Sequence, residues 1–224
     1  MFAQRLSATL QRIENAAAAA QRPVPRLLAV SKTQPAAAVA ELAAAGQRAY
    51  GENYVQEAQA KRAQLHALPL EWHLVGHLQS NKAELAAEVF DWVQSVDRAK
   101  LVTALARHRP EQRAPLNVLI QVNIDDEASK HGCAPGQVAA LAALIAAEPR
   151  LRLRGLMAIP APHPEPELRR AAYRRMATLL AELAEAHVQV DTLSMGMSDD
   201  YALAIAEGAT MVRIGTALFG ARGP

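Results

Sequence analysis

Eight short apolar runs, each followed by a longer segment of helical periodicity, constrain this 224-residue chain more than any other feature. The runs are "RLLAVS" (26–31), "RAYGE" (48–52), "EWHLVG" (71–76), "DWVQSV" (91–96), "LNVLIQVN" (116–123), "LRGLMAI" (153–159), "VDTLSM" (190–195) and "TMVRIG" (210–215). Between them, segments such as "PAAAVAELAAAG" (35–46), "RAKLVTALARH" (98–108), "PGQVAALAALIAAE" (135–148), "PELRRAAYRRMATLLAELAEAH" (166–187) and "DDYALAIAEG" (199–208) repeat their apolar residues every three or four positions. Several have Pro, Asp or Ser near the start and Gly near the end, the punctuation of helices. "NYVQEAQAKRAQL" (53–65) and "NKAELAAEV" (81–89) continue the alternation less cleanly. Strands alternating with helices pair in parallel through right-handed crossovers, and eight such units predict closure into one (β/α)8 barrel of the triosephosphate-isomerase type. An open doubly wound sheet is the competing layout, but no glycine-rich dinucleotide fingerprint follows the first run, where the chain reads "SKTQP". Residues 1–23 precede strand one and are expected to form an extra N-terminal helix. No linker divides the chain, so a single domain over 1–224 is expected.

Composition narrows the function classes. Net charge is +2 with both signs mixed along the chain, so no basic stripe for nucleic acid stands out. The sequence has neither a secretory N-terminus nor a long apolar span, which points to the cytoplasm and away from membranes. The one cysteine, Cys133, has no His or Asp at motif spacing and is read as structural.

In such a barrel the chemistry gathers at the C-terminal ends of the strands. Lys32 sits there, directly after the first apolar run. Most lysines are solvated, but an amine held at an apolar strand end has a lowered pKa and attacks carbonyls, so a Schiff base with an aldehyde is the chemistry expected. A sugar or pyridoxal phosphate could supply that aldehyde. The loops after strands seven and eight, "SMGMSDD" (194–200) and "RIGTALFG" (213–220), each pair a glycine with a hydroxyl, Ser194 or Ser198 in one and Thr216 in the other. These are the positions where barrels bind phosphate through backbone N–H groups. Arg213, between Val212 and Ile214, needs a partner if buried: a core carboxylate or a ligand atom at the barrel mouth.

Taken together, "AVSKTQP", "YGENYVQEA", "WHLVGHLQSNK", "SVDR", "QVNI", "SKHG", "GLMAIP", "SMGMSDD" and "VRIGTALFG" resemble, in order and spacing, the pyridoxal-phosphate-binding homeostasis proteins. These are single-domain relatives of the barrel half of alanine racemase. The resemblance implies that Lys32 forms the internal aldimine with pyridoxal 5′-phosphate and that Asn53 lies near the ring. It also implies that Ser198, Gly215 and Thr216 hold the phosphate, that Arg213 faces the pyridine nitrogen, and that Met157 and Met195 are wall residues. An arginine donates a hydrogen bond to that nitrogen without protonating it, which weakens the electron sink and disfavours a long-lived carbanion.

Racemisation needs a second base. In alanine racemase the opposing tyrosine comes from a separate β-domain, whereas this chain ends at Pro224, and nothing in the sequence sets Tyr50, Tyr54 or Tyr201 over the ring. His73 and His77 are candidates, better read as packed or hydrogen-bonded strand histidines. No carboxylate completes an evident metal-ligand set. The arginines of "LRRAAYRR" (168–175) are expected on a solvated helix face, and Lys130 with His131 in a loop bordering the mouth.

The expectation is therefore a monomeric barrel that holds and delivers pyridoxal phosphate in vitamin B6 and amino-acid homeostasis, without strong turnover. Apo-enzymes that use the cofactor are the protein partners such a role implies. An amino-acid racemase, or a cofactor-free Schiff-base aldolase acting on a sugar phosphate, would use the same lysine and loops.

Overall fold

A computed structural model describes residues 1–127, 130–161 and 163–220. Ser129 of the "SKHG" motif and the last four residues lie outside them. Eight parallel strands close a barrel in sequence order: β1 (Arg26–Val30), β2 (Ala49–Glu52), β3 (Glu71–Leu74), β4 (Trp92–Val96), β5 (Leu116–Gln121), β6 (Leu151–Met157), β7 (Thr192–Ser194) and β8 (Met211–Ile214). The ring is sealed where β8 meets β1, with Leu28 opposite Arg213 and Ala29 opposite Ile214. The eight apolar runs thus become the eight strands, and the open-sheet alternative is excluded by the closure.

The helices are α1 (Phe2–Ala19), α2 (Ala36–Ala44), α3 (Val55–Gln64), α4 (Ala83–Val89), α5 (Ala99–His108), α6 (Val138–Ala146), α7 (Pro166–Ala186), α8 (Tyr201–Ala206) and α9 (Thr216–Phe219). The longer helices bury a stripe at helical spacing, as in α5, where Leu101, Val102, Leu105 and Ala106 are buried. The first helix buries Leu6, Thr9, Ile13 and Ala17 and packs against α2, α8 and α9, so it braces the outer wall beside β8. No helix among the described residues is long and apolar enough to cross a membrane.

Successive residues of a strand point to opposite faces, and here the two faces separate cleanly. Leu27, Ala29, Tyr50, Leu74, Val93, Leu156, Val212 and Ile214 join one large cluster with the helices. Their neighbours turn inward. Leu28, Ala49, Val75 and Met211 form one interior group, and Trp92, Leu119 and Met157 a second. These side chains fill the lower barrel, which leaves space only above them, at the C-terminal ends of the strands.

The arginines of α7 show why that helix is no anion site. Arg170 and Arg174 pair with Glu207, Arg169 donates to the His163 carbonyl, and Arg175 to the Ile124 carbonyl.

Candidate functional site

A cavity of about 520 Å³ opens at that end, within the usual range for a small-molecule site. Strand alternation explains its lining. On β1 the inward set Leu28, Val30 continues to Lys32; on β2 the set Ala49, Gly51 continues to Asn53; on β8, Met211 and Arg213 lead to Gly215. Lys32, Asn53, Ser198, Arg213, Gly215 and Thr216 all line the cavity. Lys32 is half-buried, and no described residue bonds or pairs with its amine.

The backbone that carries Lys32 is clamped from outside the barrel by residues that the sequence reading passed over. Lys61 Nζ, on α3, donates to the Ser31 carbonyl at 2.6 Å, to Glu52 Oε1 at 2.8 Å and to Glu57 Oε1 at 2.7 Å. Glu57 Oε1 in turn accepts the Thr33 N–H at 2.6 Å, and Ser31 Oγ donates to Glu52 Oε1 at 2.5 Å. Thr33 has φ of 65°, a left-handed conformation that a β-branched side chain rarely adopts. The peptide units on both sides of Lys32 therefore meet one network, buried at Ser31, Glu52 and Lys61 and open to solvent at Thr33. Burial raises the Glu52 carboxyl above the usual range, against the lowering pull of Lys61 and Ser31. The i,i+4 pair Glu57–Lys61 was the one visible signal of this network in the sequence.

Arg213 is 4% exposed and pairs with no carboxylate among the described residues. Its Nη1 donates to Ser194 Oγ and its Nη2 to the Ala158 carbonyl, both at 2.8 Å. Ser194 Oγ donates to Gln94 Oε1 at 2.7 Å, and Gln94 Nε2 lies 2.9 Å from His73 Nδ1. His73 Nε2 contacts Glu71, so a line of side chains crosses the barrel interior from the foot of β3 to Arg213. As an acceptor at Nδ1, His73 carries its proton on Nε2 and donates to Glu71. Burial is the largest influence on both Arg213 and His73 and lowers each, Arg213 to about 10, which still leaves it cationic near neutrality.

His73 is the packed, hydrogen-bonded strand histidine expected: fully buried, stacked on Trp92, and absent from the cavity lining. Two expectations, for Met195 and Met157, change. Met195 fails to line the cavity. Ser194 faces inward to meet Gln94 and Arg213, so the next residue turns outward into the helix-facing core, and the exposed Met197 lines the cavity instead. Met157 packs below, against Trp92 and Leu119. Of the two serines proposed for the phosphate loop, Ser194 is committed to Arg213 and Ser198 lines the opening.

Two glycines of the cavity lining sit in close approach to neighbouring backbone: a Cβ on Gly76 would lie an impossible 2.2 Å from the Asn53 carbonyl, and one on Gly215 a tight 3.0 Å from the Val30 carbonyl. Gly76 seats the loop after β3 on Asn53. Gly215 lets the loop after β8 close over the cavity beside Thr216.

That β3 loop also brings His77 to the rim, where its ring stacks on His131 at 3.7 Å between centroids. Asp97 Oδ2 lies 4.0 Å from His77 Nδ1, so a carboxylate does join the two imidazoles, contrary to the sequence expectation. Lys130 Nζ donates to the Ile159 carbonyl at 3.3 Å and lies 3.4 Å from Glu127.

Residues 4–223 match the family of the alanine racemase N-terminal domain. The chain is 55% identical over 223 residues to the pyridoxal phosphate homeostasis protein of Pseudomonas aeruginosa, covering 99% of this chain and 96% of that one. It is 55% identical over 199 residues to the protein of the same name from Escherichia coli, covering 88% and 85%. Among solved structures it superposes on PipY of Synechococcus elongatus with a TM-score of 0.89 without pyridoxal phosphate and 0.86 with it bound, at 40% identity, over 98% of this chain and 100% of that one. The chain therefore belongs to the alanine racemase N-terminal domain family and, within it, to the pyridoxal phosphate homeostasis proteins.

Proposed function

We propose that this protein binds pyridoxal phosphate covalently through Lys32 and acts in vitamin B6 homeostasis, holding and releasing the cofactor with little turnover of amino acids. The observation that carries this reading is the half-buried Lys32 amine, unpaired among the described residues, in one cavity with Arg213 and both glycine-bearing loops. The donor set suits the molecule: an amine for the aldehyde, a buried cation for the ring nitrogen, and two hydroxyls on loops whose backbones approach closely for the phosphate. The bound cofactor would supply an electron-withdrawing ring conjugated to a reactive carbonyl.

The chain's own residues divide the work. Ser198, Gly215 and Thr216 hold the anionic tail, Asn53 flanks the ring, and Arg213, held by Ser194 and the Ala158 carbonyl, offers a hydrogen bond at the ring nitrogen while keeping its proton. That retention disfavours carbanion chemistry. A racemase also needs a second base, and no tyrosine is among the described residues lining the cavity: Tyr50 is buried with its hydroxyl on the Val39 carbonyl, and Tyr54 is 63% exposed. The relatives' name and the pyridoxal phosphate bound to PipY support the same assignment.

Cα deuterium exchange of several amino acids by the cofactor-loaded protein separates the readings. The carrier reading expects exchange near background. Rapid exchange would establish an enzyme in its place, and a protein that retains no cofactor but is trapped by borohydride only with a sugar phosphate would indicate an aldolase.

A further inference from the structure

We propose that His77, Asp97 and His131 form a binding site for a divalent first-row transition ion, Zn²⁺ being the best fit, at the mouth of the barrel. The site is independent of the cofactor assignment. Its residues come from the C-terminal ends of three consecutive strands: His77 three residues after β3, Asp97 directly after β4, and His131 in the loop after β5. One ligand atom from each lies within 4.8 Å of the others. A tetrahedral ion with bonds of roughly 2.0–2.1 Å needs its ligand atoms about 3.3 Å apart, so closing the set asks each atom to move by an ångström or so.

The stacked rings are not yet in a coordinating pose, because imidazole lone pairs lie in the ring plane. Both rings are exposed at the rim, so each turns about its Cβ–Cγ bond without disturbing the core. Their nitrogens are available, since no described residue makes a hydrogen bond to either ring and the contact with Asp97 is too long to be one. The carboxylate is pre-set. Arg98 Nη1 binds Asp97 Oδ1 at 2.5 Å, which leaves Oδ2 as the atom nearest His77. Arg98 is itself fixed by the Leu78 carbonyl at 2.9 Å and Ser80 Oγ at 3.3 Å, the kind of outer support that ligating carboxylates use.

Gln121, 6% exposed on the cavity wall, holds the His131 carbonyl through Nε2 at 3.2 Å, which fixes the backbone that carries one of the two imidazoles. Two imidazoles and one carboxylate suit Zn²⁺ or Fe²⁺ far better than Mg²⁺ or Ca²⁺, and three protein ligands leave a coordination position open. Both imidazoles line the cavity, so that position is available to water or to a carboxylate entering the mouth.

The test is titration of the purified full-length protein with Zn²⁺ by calorimetry and with Co²⁺ by visible absorption. One equivalent per chain is expected, with Zn²⁺-dependent shifts of the His77 and His131 ring signals in nuclear magnetic resonance spectra of the unaltered protein. Asp97→Asn and His131→Ala should each weaken binding by about tenfold or more. Asp97→Asn should keep its cofactor loading, because Asp97 does not line the cavity. Absence of saturable binding, ring signals indifferent to Zn²⁺, or unchanged affinity in Asp97→Asn combined with His131→Ala would overturn the proposal.

Discussion

Removing the Lys61 ammonium strands two carboxylates against the strand end that presents Lys32. Glu52 is fully buried and Lys61 nearly so, and breaking a buried pair by deleting one partner costs about 3 kcal/mol or more. The raised carboxyl of Glu52 softens that cost, because it takes up a proton more readily than an exposed one. Lys61→Met is therefore expected to lower stability by roughly 3 kcal/mol in urea denaturation, and to slow covalent attachment at Lys32 by loosening the Ser31 and Thr33 peptide units. Lys61→Arg keeps the charge but not the compact point donor, and should recover stability only in part. Lys32 could be picked out in the sequence because a polar residue directly after an apolar run is conspicuous. Lys61 could not, because a lysine within a helix usually reads as solvated, and its burial depends on where α3 lies against β1 and β2.

At the scale of elements, the period of two along each strand decides what each residue does. Lys32, Arg213 and Gly215 each continue an inward-facing set, which is what brings them together in the cavity. The same period also explains the failure at Met195, whose face is fixed by its neighbour Ser194 and not by its own chemistry. The line from Glu71 through His73, Gln94 and Ser194 to Arg213 draws on β3, β4, β7 and β8, and no local pattern reports partners so far apart in sequence. Ser194→Ala removes an acceptor from Arg213 and a donor to Gln94 in a water-excluded interior, so a loss of about 1–3 kcal/mol is expected, read by urea denaturation. The loops after β7 and β8 behave differently. Ser198→Ala combined with Thr216→Ala removes hydroxyls from an open mouth, so the melting temperature without cofactor should hold. Retention of pyridoxal phosphate should fall by about tenfold or more in equilibrium dialysis, because hydrogen bonds to a charged group contribute about 1.5–3 kcal/mol each.

For the molecule as a whole, closure of the barrel ties stability to groups at its foot. Burial pushes the Glu71 carboxyl up, but the hydrogen bond from His73 and the Arg26 guanidinium at 2.8 Å outweigh it and hold the group at about 2, against 4.5 ordinarily. A depressed carboxyl contributes stability above its unfolded value and loses it as pH falls through the folded one. Stability should therefore decline between pH 4.5 and about 2, and Glu71→Gln should flatten that part of the denaturation profile. The N-terminal helix matters at this scale too. Ile13→Ala, in the fully buried stripe that packs toward α8 and α9, should cost about 2–5 kcal/mol in the same assay. The barrel was legible because eight repeats of one pattern reinforce each other, whereas the rim cluster of His77, Asp97 and His131 is assembled from three separate loops and exists only once the ring has closed. The account rests on a covalent link between Lys32 and the cofactor. Borohydride reduction of the cofactor-loaded protein, followed by peptide mass spectrometry, should find a single pyridoxyl adduct on the peptide containing Lys32 and none in Lys32→Ala. An adduct on another lysine, or tightly retained cofactor that leaves no adduct on Lys32, would contradict it.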